Sequence, residues 1–153
     1  MRGFIICCLV LLAACGGGRN GSPAAGGGPV FRLPEVPALY SDGVARAGYL
    51  AAHYWDAVDF ADTAWLQKVS DLEKALPDYL VALGATIQGQ DGQARVRASY
   101  DRLLARASAQ PALRDSLVGL LEKYLYDPNS PMLNEDVYIP ALEIGRASCR
   151  ERV

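Results

Sequence analysis

The sequence predicts an all-α domain of four to five helices in a small bundle-like arrangement. Three observations lead there. Apolar side chains recur at three-to-four spacing in successive segments from residue 43 to residue 143. Clusters of Pro, Gly, Asp and Asn punctuate those segments, as helix starts and stops require. No stretch alternates with the period of two that a half-buried strand needs, and no internal repeat occurs. The chain of 153 residues has room for one domain, and 51% hydrophobic against 21% charged residues suits a chain that folds.

Taken in order, "VFRLPEVPALYSDG" from Val30 holds Pro34, Pro37 and Gly43, which favour extended or turn geometry. It reads as a lead-in that lays Phe31, Leu33, Val36 and Leu39 against the domain. The first helix is expected to start at Ser41 or Asp42 as N-cap and to continue through Asp59. Its apolar face is Val44, Ala47, Leu50, Ala51, Tyr54 and Val58. "DFADT" breaks it, with Asp62 or Thr63 able to cap the next helix. That second segment carries Trp65, Leu66, Val69, Leu72, Leu76, Tyr79, Leu80 and Leu83. Pro77 is expected to kink or restart it, because Pro removes a backbone donor and clashes one turn back. Gly84 is expected to stop it. After the polar "ATIQGQDG", a third helix turns Val96, Tyr100, Leu103, Leu104 and Ala107 inward and Arg95, Arg102 and Arg106 outward. Pro111 fits the first turn of a fourth helix, which buries Leu113, Leu117, Leu120, Leu121, Tyr124 and Leu125. "DPNSP" is a turn cluster. "MLNEDVYIPALE" begins a fifth helix near Asn134, with Pro140 opposing a long continuation.

The N-terminus carries an address. "MRGFIICCLVLLAAC" has one positive charge, Arg2, then an apolar run from Phe4 to Leu12 that is too short to span a bilayer. Residues 1–14 read as a signal peptide. Leu12-Ala13-Ala14-Cys15 resembles the lipobox of bacterial lipoproteins, which implies lipidation of the Cys15 thiol and cleavage before it. Several acyl chains anchor firmly, at about 0.8 kcal/mol per buried CH₂. Cys7 and Cys8 fall in the discarded segment. Residues 15–29 then form the lipidated Cys and a Gly-rich tether. Gly16 rather than Asp follows Cys15. By resemblance to Gram-negative sorting, this favours the outer membrane, facing the periplasm.

Little in residues 30–143 announces chemistry. His53 is the sole histidine, so a multi-histidine metal site is excluded. A mixed site with Asp56 and Asp59 is conceivable, but His53 reads as a packed or hydrogen-bonded side chain. Tyr49, Tyr54, Trp55, Phe60 and Trp65 could line a ligand groove for a peptide or glycan; they read first as core. Arg95, Arg97, Arg102 and Arg106 could hold an anion; they read first as a solvated helix face. Acidic pairs such as Asp56/Asp59 and Glu135/Asp136 are too ordinary to assign as acid/base dyads. No phosphate loop, zinc-ligand spacing, cofactor motif or nucleophile–histidine pair stands out. No catalytic, cofactor-binding or metal residue is assigned, and no enzyme activity is expected of this chain.

Two segments carry a family resemblance: "RAGYLAAHYWDAVDFADT" (Arg46–Thr63) and "LLEKYLYDPNSPMLNEDVYIPALE" (Leu120–Glu143), with "LPEVP" at Leu33–Pro37 in support. They resemble an uncharacterised helical domain that precedes a thioredoxin-like domain in bacterial lipoproteins. The resemblance spans about Val30 to Glu143. It implies a non-catalytic helical module that positions a downstream thiol–disulfide redox domain or supplies its client contacts. It carries no activity onto any residue here, and a Cys-x-x-Cys would belong to the downstream domain. The alternative is a stand-alone helical binding lipoprotein for a peptide or glycan.

The last ten residues, "IGRASCRERV", follow without a linker. Back-translated as ATCGGAAGAGCGTCGTGTAGGGAAAGAGTG, they resemble a common short-read sequencing adapter. Residues 144–153 are therefore expected to be adapter-derived, and Cys149 is not read as a redox site. Residues 15–143 then carry 11 basic and 16 acidic side chains, a formal charge of about −5. A nucleic-acid partner is not expected of so acidic a domain.

Overall fold

The computed structural model describes residues 28–150, with side chains described as far as Ile144. The signal peptide 1–14, Cys15 and the tether through residue 27 lie outside the described residues, as do residues 151–153. Five α-helices carry the chain: α1 (Gly43–His53), α2 (Val69–Ile87), α3 (Gly92–Ala107), α4 (Pro111–Leu125) and α5 (Glu135–Arg150). A 3₁₀ helix, Thr63–Gln67, lies between α1 and α2. The described residues contain no strand. The protein is all-α.

Local chemistry sets most helix starts. The Asp42 carboxylate accepts from the Ala45 N–H at 2.8 Å and caps α1. Asp62 does the same for the 3₁₀ helix through the Ala64 N–H at 2.9 Å. Pro111 begins α4, where a missing N–H costs nothing. The Asn134 side chain accepts from the Val137 N–H at 3.2 Å at the start of α5. Between α2 and α3, Asp91 takes the left-handed conformation with φ 55°. Gly92 follows it because a Cβ there would lie 2.3 Å from the Ile87 carbonyl oxygen.

The helix α2 is the spine of the core. It packs against α1, α3, α4 and α5, with Leu72, Leu76, Tyr79 and Leu83 fully buried. Onto it α3 brings Val96, Tyr100, Leu103, Leu104 and Ala107, and α4 brings Leu113, Leu117, Leu121 and Leu125. From α5 come Val137, Ala141 and Ile144, spaced four and three apart on one face. Each fully buried Leu of this set stabilises the fold by roughly 1.5–3 kcal/mol relative to exposure.

Several sequence expectations need correction. The first helix does not continue to Asp59; α1 ends at His53, and residues 54–60 form turns closed by Asp56 N–H to His53 and Val58 N–H to Trp55, both at 3.0 Å. Ending the helix lets Trp55, Val58 and Phe60 all turn inward, which continuous helical spacing would not allow. The segment from Thr63 divides into the 3₁₀ helix and α2. Helix α2 neither restarts at Pro77 nor stops at Gly84. One lost hydrogen bond at Pro77 is outweighed by buried leucines on both sides of it. A side chain at Gly84 would meet only open space. Pro140 is likewise accommodated within α5. In the lead-in, Phe31 and Val36 are half-buried, whereas Leu33 and Leu39 are exposed: the segment from residue 28 pairs with no strand and holds three prolines, so it does not keep the two-residue alternation that would put Phe31 and Leu33 on one side. Leu66 on the 3₁₀ helix is also exposed.

Candidate functional site

Several of the residues singled out in the sequence, among them His53, Asp56, Arg102 and Arg106, meet where the end of α1 faces α3. Five backbone carbonyls between Ala51 and Val58, followed by that of Phe60, run along this seam. Where α1 stops, its last carbonyls lack helical partners. A polar stripe supplies them: Ser99, Arg102 and Arg106 of α3, then Gln110, spaced three, four and four residues apart. The Ser99 hydroxyl donates to the Ala51 carbonyl at 2.6 Å, and Arg102 donates to the Ala52 carbonyl. Arg106 spreads its guanidinium over the carbonyls of Trp55 (3.0 Å), Asp56 (3.2 Å) and Val58 (2.8 Å). Gln110 Nε2 donates to the Phe60 carbonyl at 2.7 Å. Two cationic side chains thus sit at the partly negative end of α1, which the helix dipole favours.

The arginine run is therefore not simply a solvated face. Arg106 also holds the Asp56 carboxylate at 3.2 Å and lies 5.7 Å from the Phe60 ring centroid. Arg95 lies over Gly48 of α1, where a Cβ would come within 2.4 Å of its guanidinium. Arg97 pairs with Glu143 across α3 and α5. Arginine suits such work because its planar fork donates in several directions at once. Ser99 and Gln110 were not singled out by sequence. Their spacing with Arg102 and Arg106 was the available signal, since it marks one face beside the apolar stripe of α3.

Beneath the seam lies an aromatic floor. Tyr54, Trp55, Phe60 and Trp65 are buried, so these four are core residues. The rings of Tyr54 and Trp55 each lie within 5.4 Å of Tyr79. Tyr54 donates to the Ala75 carbonyl at 2.7 Å. Since Ser99 spends its proton on Ala51, the Tyr79 hydroxyl donates to Ser99 at 2.8 Å. Burial pushes the hydroxyls of Tyr54, Tyr79 and Tyr100 above the ordinary tyrosine range. All three hydroxyls stay protonated, and those of Tyr54 and Tyr79 serve as donors.

At the surface, His53 Nδ1 meets Asp56 at 2.7 Å, and Tyr49 stacks between His53 (4.4 Å) and Tyr40 (4.9 Å). A His–carboxylate pair can orient a general base, but no Ser, Thr or Cys side chain hydrogen-bonds to His53 among the described residues. Asp59 turns instead to the Ala61 N–H at 3.0 Å. Among the described residues no three His, Cys, Asp or Glu side chains gather to hold a metal ion. Glu135 and Asp136 stand exposed in the first turn of α5, away from this seam in the sequence and in its hydrogen bonds. What the arrangement does chemically is to fix a helix end and an aromatic floor rigidly against each other.

Comparison with known proteins agrees with that architecture. A search of curated proteins finds no match. A crystal structure of a thioredoxin-like protein from Bacteroides caccae is similar, at 36% identity and a TM-score of 0.67. The similarity covers 77% of this chain and 41% of that one. The present chain thus spans well under half the length of that relative. The family model described as "Domain of unknown function (DUF5106)" matches residues 17–150. With most of its length matched, the chain belongs to the DUF5106 family.

Proposed function

We propose that this chain is the non-catalytic helical module of a membrane-anchored, thioredoxin-like lipoprotein, and that it positions a thiol–disulfide redox domain or supplies its client contacts. The observation that carries the reading is the likeness to a thioredoxin-like protein at 36% identity, restricted to 41% of that protein. A rigid helical body with its polar groups committed to its own backbone suits a positioning role. Among the residues whose side chains are described there is no cysteine, and exchange of electrons with a disulfide needs an accessible low-pKa thiolate.

The anchor in this reading is a lipid on Cys15, with the body held at the periplasmic face of the outer membrane by residues 15–29. Its support is the Leu12–Cys15 motif and Gly16. Metabolic labelling with a fatty-acid analogue should mark the wild-type protein and not Cys15→Ser. Equal labelling of both would reject the anchor.

The redox assignment is tested by the uninterrupted gene. Its reading frame should continue after Glu143 into a βαβ pattern with a Cys-x-x-Cys, in place of the adapter-like residues 144–153. A native stop codon within a few residues of Glu143 would reject it. The purified helical module should show no thiol–disulfide exchange by itself.

A further inference from the structure

Helix α5 is apolar on two sides, and the helical body covers one of them. Val137, Pro140, Ala141 and Ile144 are buried. Beside them stand Tyr138 and Leu142, half-buried, and Ile139, which is 53% exposed. Leu142 lies three residues from Ile139 and four from Tyr138, so the three side chains form one patch. At about 100° per residue, the apolar arc from Pro140 round to Ile139 spans roughly 260°. A single core face needs only about 100°. The remainder is apolar surface that the helical body leaves open.

The connection from α4 enlarges that surface. Tyr126, 58% exposed, stacks on Tyr138 with ring centroids 5.1 Å apart. The Asn134 N–H donates to the Leu125 carbonyl at 3.3 Å, which brings Leu133 alongside the end of α4. Leu133 is 49% exposed. The connection is held firmly: the Ser130 hydroxyl donates to the Tyr124 carbonyl, the Ser130 N–H to the Asp127 carbonyl at 2.9 Å, and the Leu133 N–H to the Ser130 carbonyl at 3.3 Å. Around the patch, Asp127, Glu135 and Asp136 are exposed. An apolar centre within a polar rim is the anatomy of a protein-binding surface, and its fixed backbone lowers the cost of binding.

We propose that this patch, centred on Tyr126, Leu133, Tyr138, Ile139 and Leu142, is the docking surface for the domain that follows α5 in the full-length protein, an inference that rests on reading this chain as one module of a thioredoxin-like protein. Three observations select that occupant. The thioredoxin-like relative at 36% identity carries more than half of its length outside the shared part. A domain that follows Glu143 starts one turn beyond Ile139, about 6 Å further along the axis of α5. With a radius of gyration of about 13 Å for 100 residues, such a domain reaches the whole patch without a linker. The acidic rim, third, suits a partner face with Lys or Arg around an apolar centre. A second copy would compete with a domain that the chain itself holds at high effective concentration. Docked on α5, the redox domain takes one orientation relative to the helical body.

The test is hydroxyl-radical labelling, read side chain by side chain by mass spectrometry, of the full-length protein from the uninterrupted gene and of the present chain. Tyr126, Leu133 and Ile139 should label about fivefold more slowly in the full-length protein, because the centre of a docked interface is packed like an interior. Leu66 and Val81, exposed on the 3₁₀ helix and on α2, should label equally in both. Ile139→Arg should return Tyr126 and Leu133 of the full-length protein to the rate of the present chain, with circular dichroism unchanged. Should Ile139→Arg lose its native circular dichroism, Tyr126→Ala decides, and continued protection of Leu133 and Ile139 in it rejects the patch. Equal labelling of the patch in both proteins overturns the docking surface and leaves the redox-domain reading standing. Protection of Leu66 or Val81 in place of the patch overturns it as well. Protection lost on dilution would make a second copy the occupant and overturn the assignment to the following domain. A native stop codon near Glu143 rejects the redox-domain reading and the docking surface together, and the gene sequence alone tells that outcome from the others.

Discussion

Removing the Arg106 side chain should weaken the whole domain through the end of α1. In the native protein this side chain donates to three carbonyls, at 2.8 to 3.2 Å, and to the Asp56 carboxylate. Hydrogen bonds to a charged group contribute roughly 1.5–3 kcal/mol each when buried. The Arg106 side chain is 34% exposed, so water can replace part of what Arg106→Ala removes, and the Asp56 pair contributes little. The bonds to Trp55 and Val58 are the part-buried ones. Two such bonds, discounted by about half for re-solvation, give a loss of about 1.5–3 kcal/mol. In a domain of about 100 residues this lowers Tm by roughly 10 °C. Arg106→Lys should lose about half as much, since an ammonium cannot reach three diverging carbonyls at once. Urea unfolding followed by circular dichroism, with thermal melts alongside, reads both variants. A loss under about 0.5 kcal/mol for Arg106→Ala, or no difference between Lys and Arg, would show that the carbonyls are adequately hydrated without it.

Four further outcomes follow from the same geometry. Ser99→Ala should destabilise by about 2–3 kcal/mol, because it strands the Tyr79 hydroxyl and the Ala51 carbonyl together; Tyr79→Phe, which leaves Ser99 donating to Ala51, should cost only about 1 kcal/mol, and the reverse order in urea unfolding would refute the chain. Gly84→Ala and Gly119→Ala, where a Cβ meets open space within a helix, should each raise stability by up to about 1 kcal/mol. Gly92→Ala should destabilise by roughly 1–3 kcal/mol, since its Cβ would press on the Ile87 backbone; neutral behaviour in thermal melts would contradict that approach. Burial raises the hydroxyl pKa of Tyr54, Tyr79 and Tyr100, so the unfolded chain releases these protons first and stability falls as pH rises past about 10. Three of the eight tyrosines should then ionise only as circular dichroism is lost, and a smooth titration of all eight before unfolding would refute it.

The salt links on the surface belong to a different class. Glu73 accepts from Lys123 at 2.7 Å, which holds its carboxyl below the ordinary range, with a weaker contribution from Tyr124. The link is present above the unfolded carboxylate pKa and is lost as pH falls through the lower folded value. Lys123 is exposed, so the pair orients α2 and α4 without adding much stability. The buried end of the ledger is less complete. Trp65 Nε1, the Tyr100 hydroxyl and Arg114 Nη2 are buried with no hydrogen-bond partner among the described residues. Such groups cost free energy, and each is a place where substitution by an apolar residue of similar shape should be tolerated.

What the sequence determined by itself was local. Apolar spacing fixed the helical class and the inward faces of α3 and α4, because a 3.6-residue period needs only neighbouring residues to be read. Caps were equally legible: Asp42, Asp62 and Pro111 act within three residues of themselves. The identity of the aromatic group was visible too, although not that Tyr49 would face outward while Tyr54, Trp55, Phe60 and Trp65 faced in. Tertiary structure alone decided where α1 stops. Nothing near His53 forbids another turn; the carbonyls that leave the helix are taken by Ser99, Arg102, Arg106 and Gln110, 48 to 51 residues further on. The persistence of α2 through Pro77 and Gly84 was settled the same way, by burial against four other helices. Propensity is worth about 1 kcal/mol at a glycine and about 3 at a proline, and the packing of a helix with eight buried residues exceeds both.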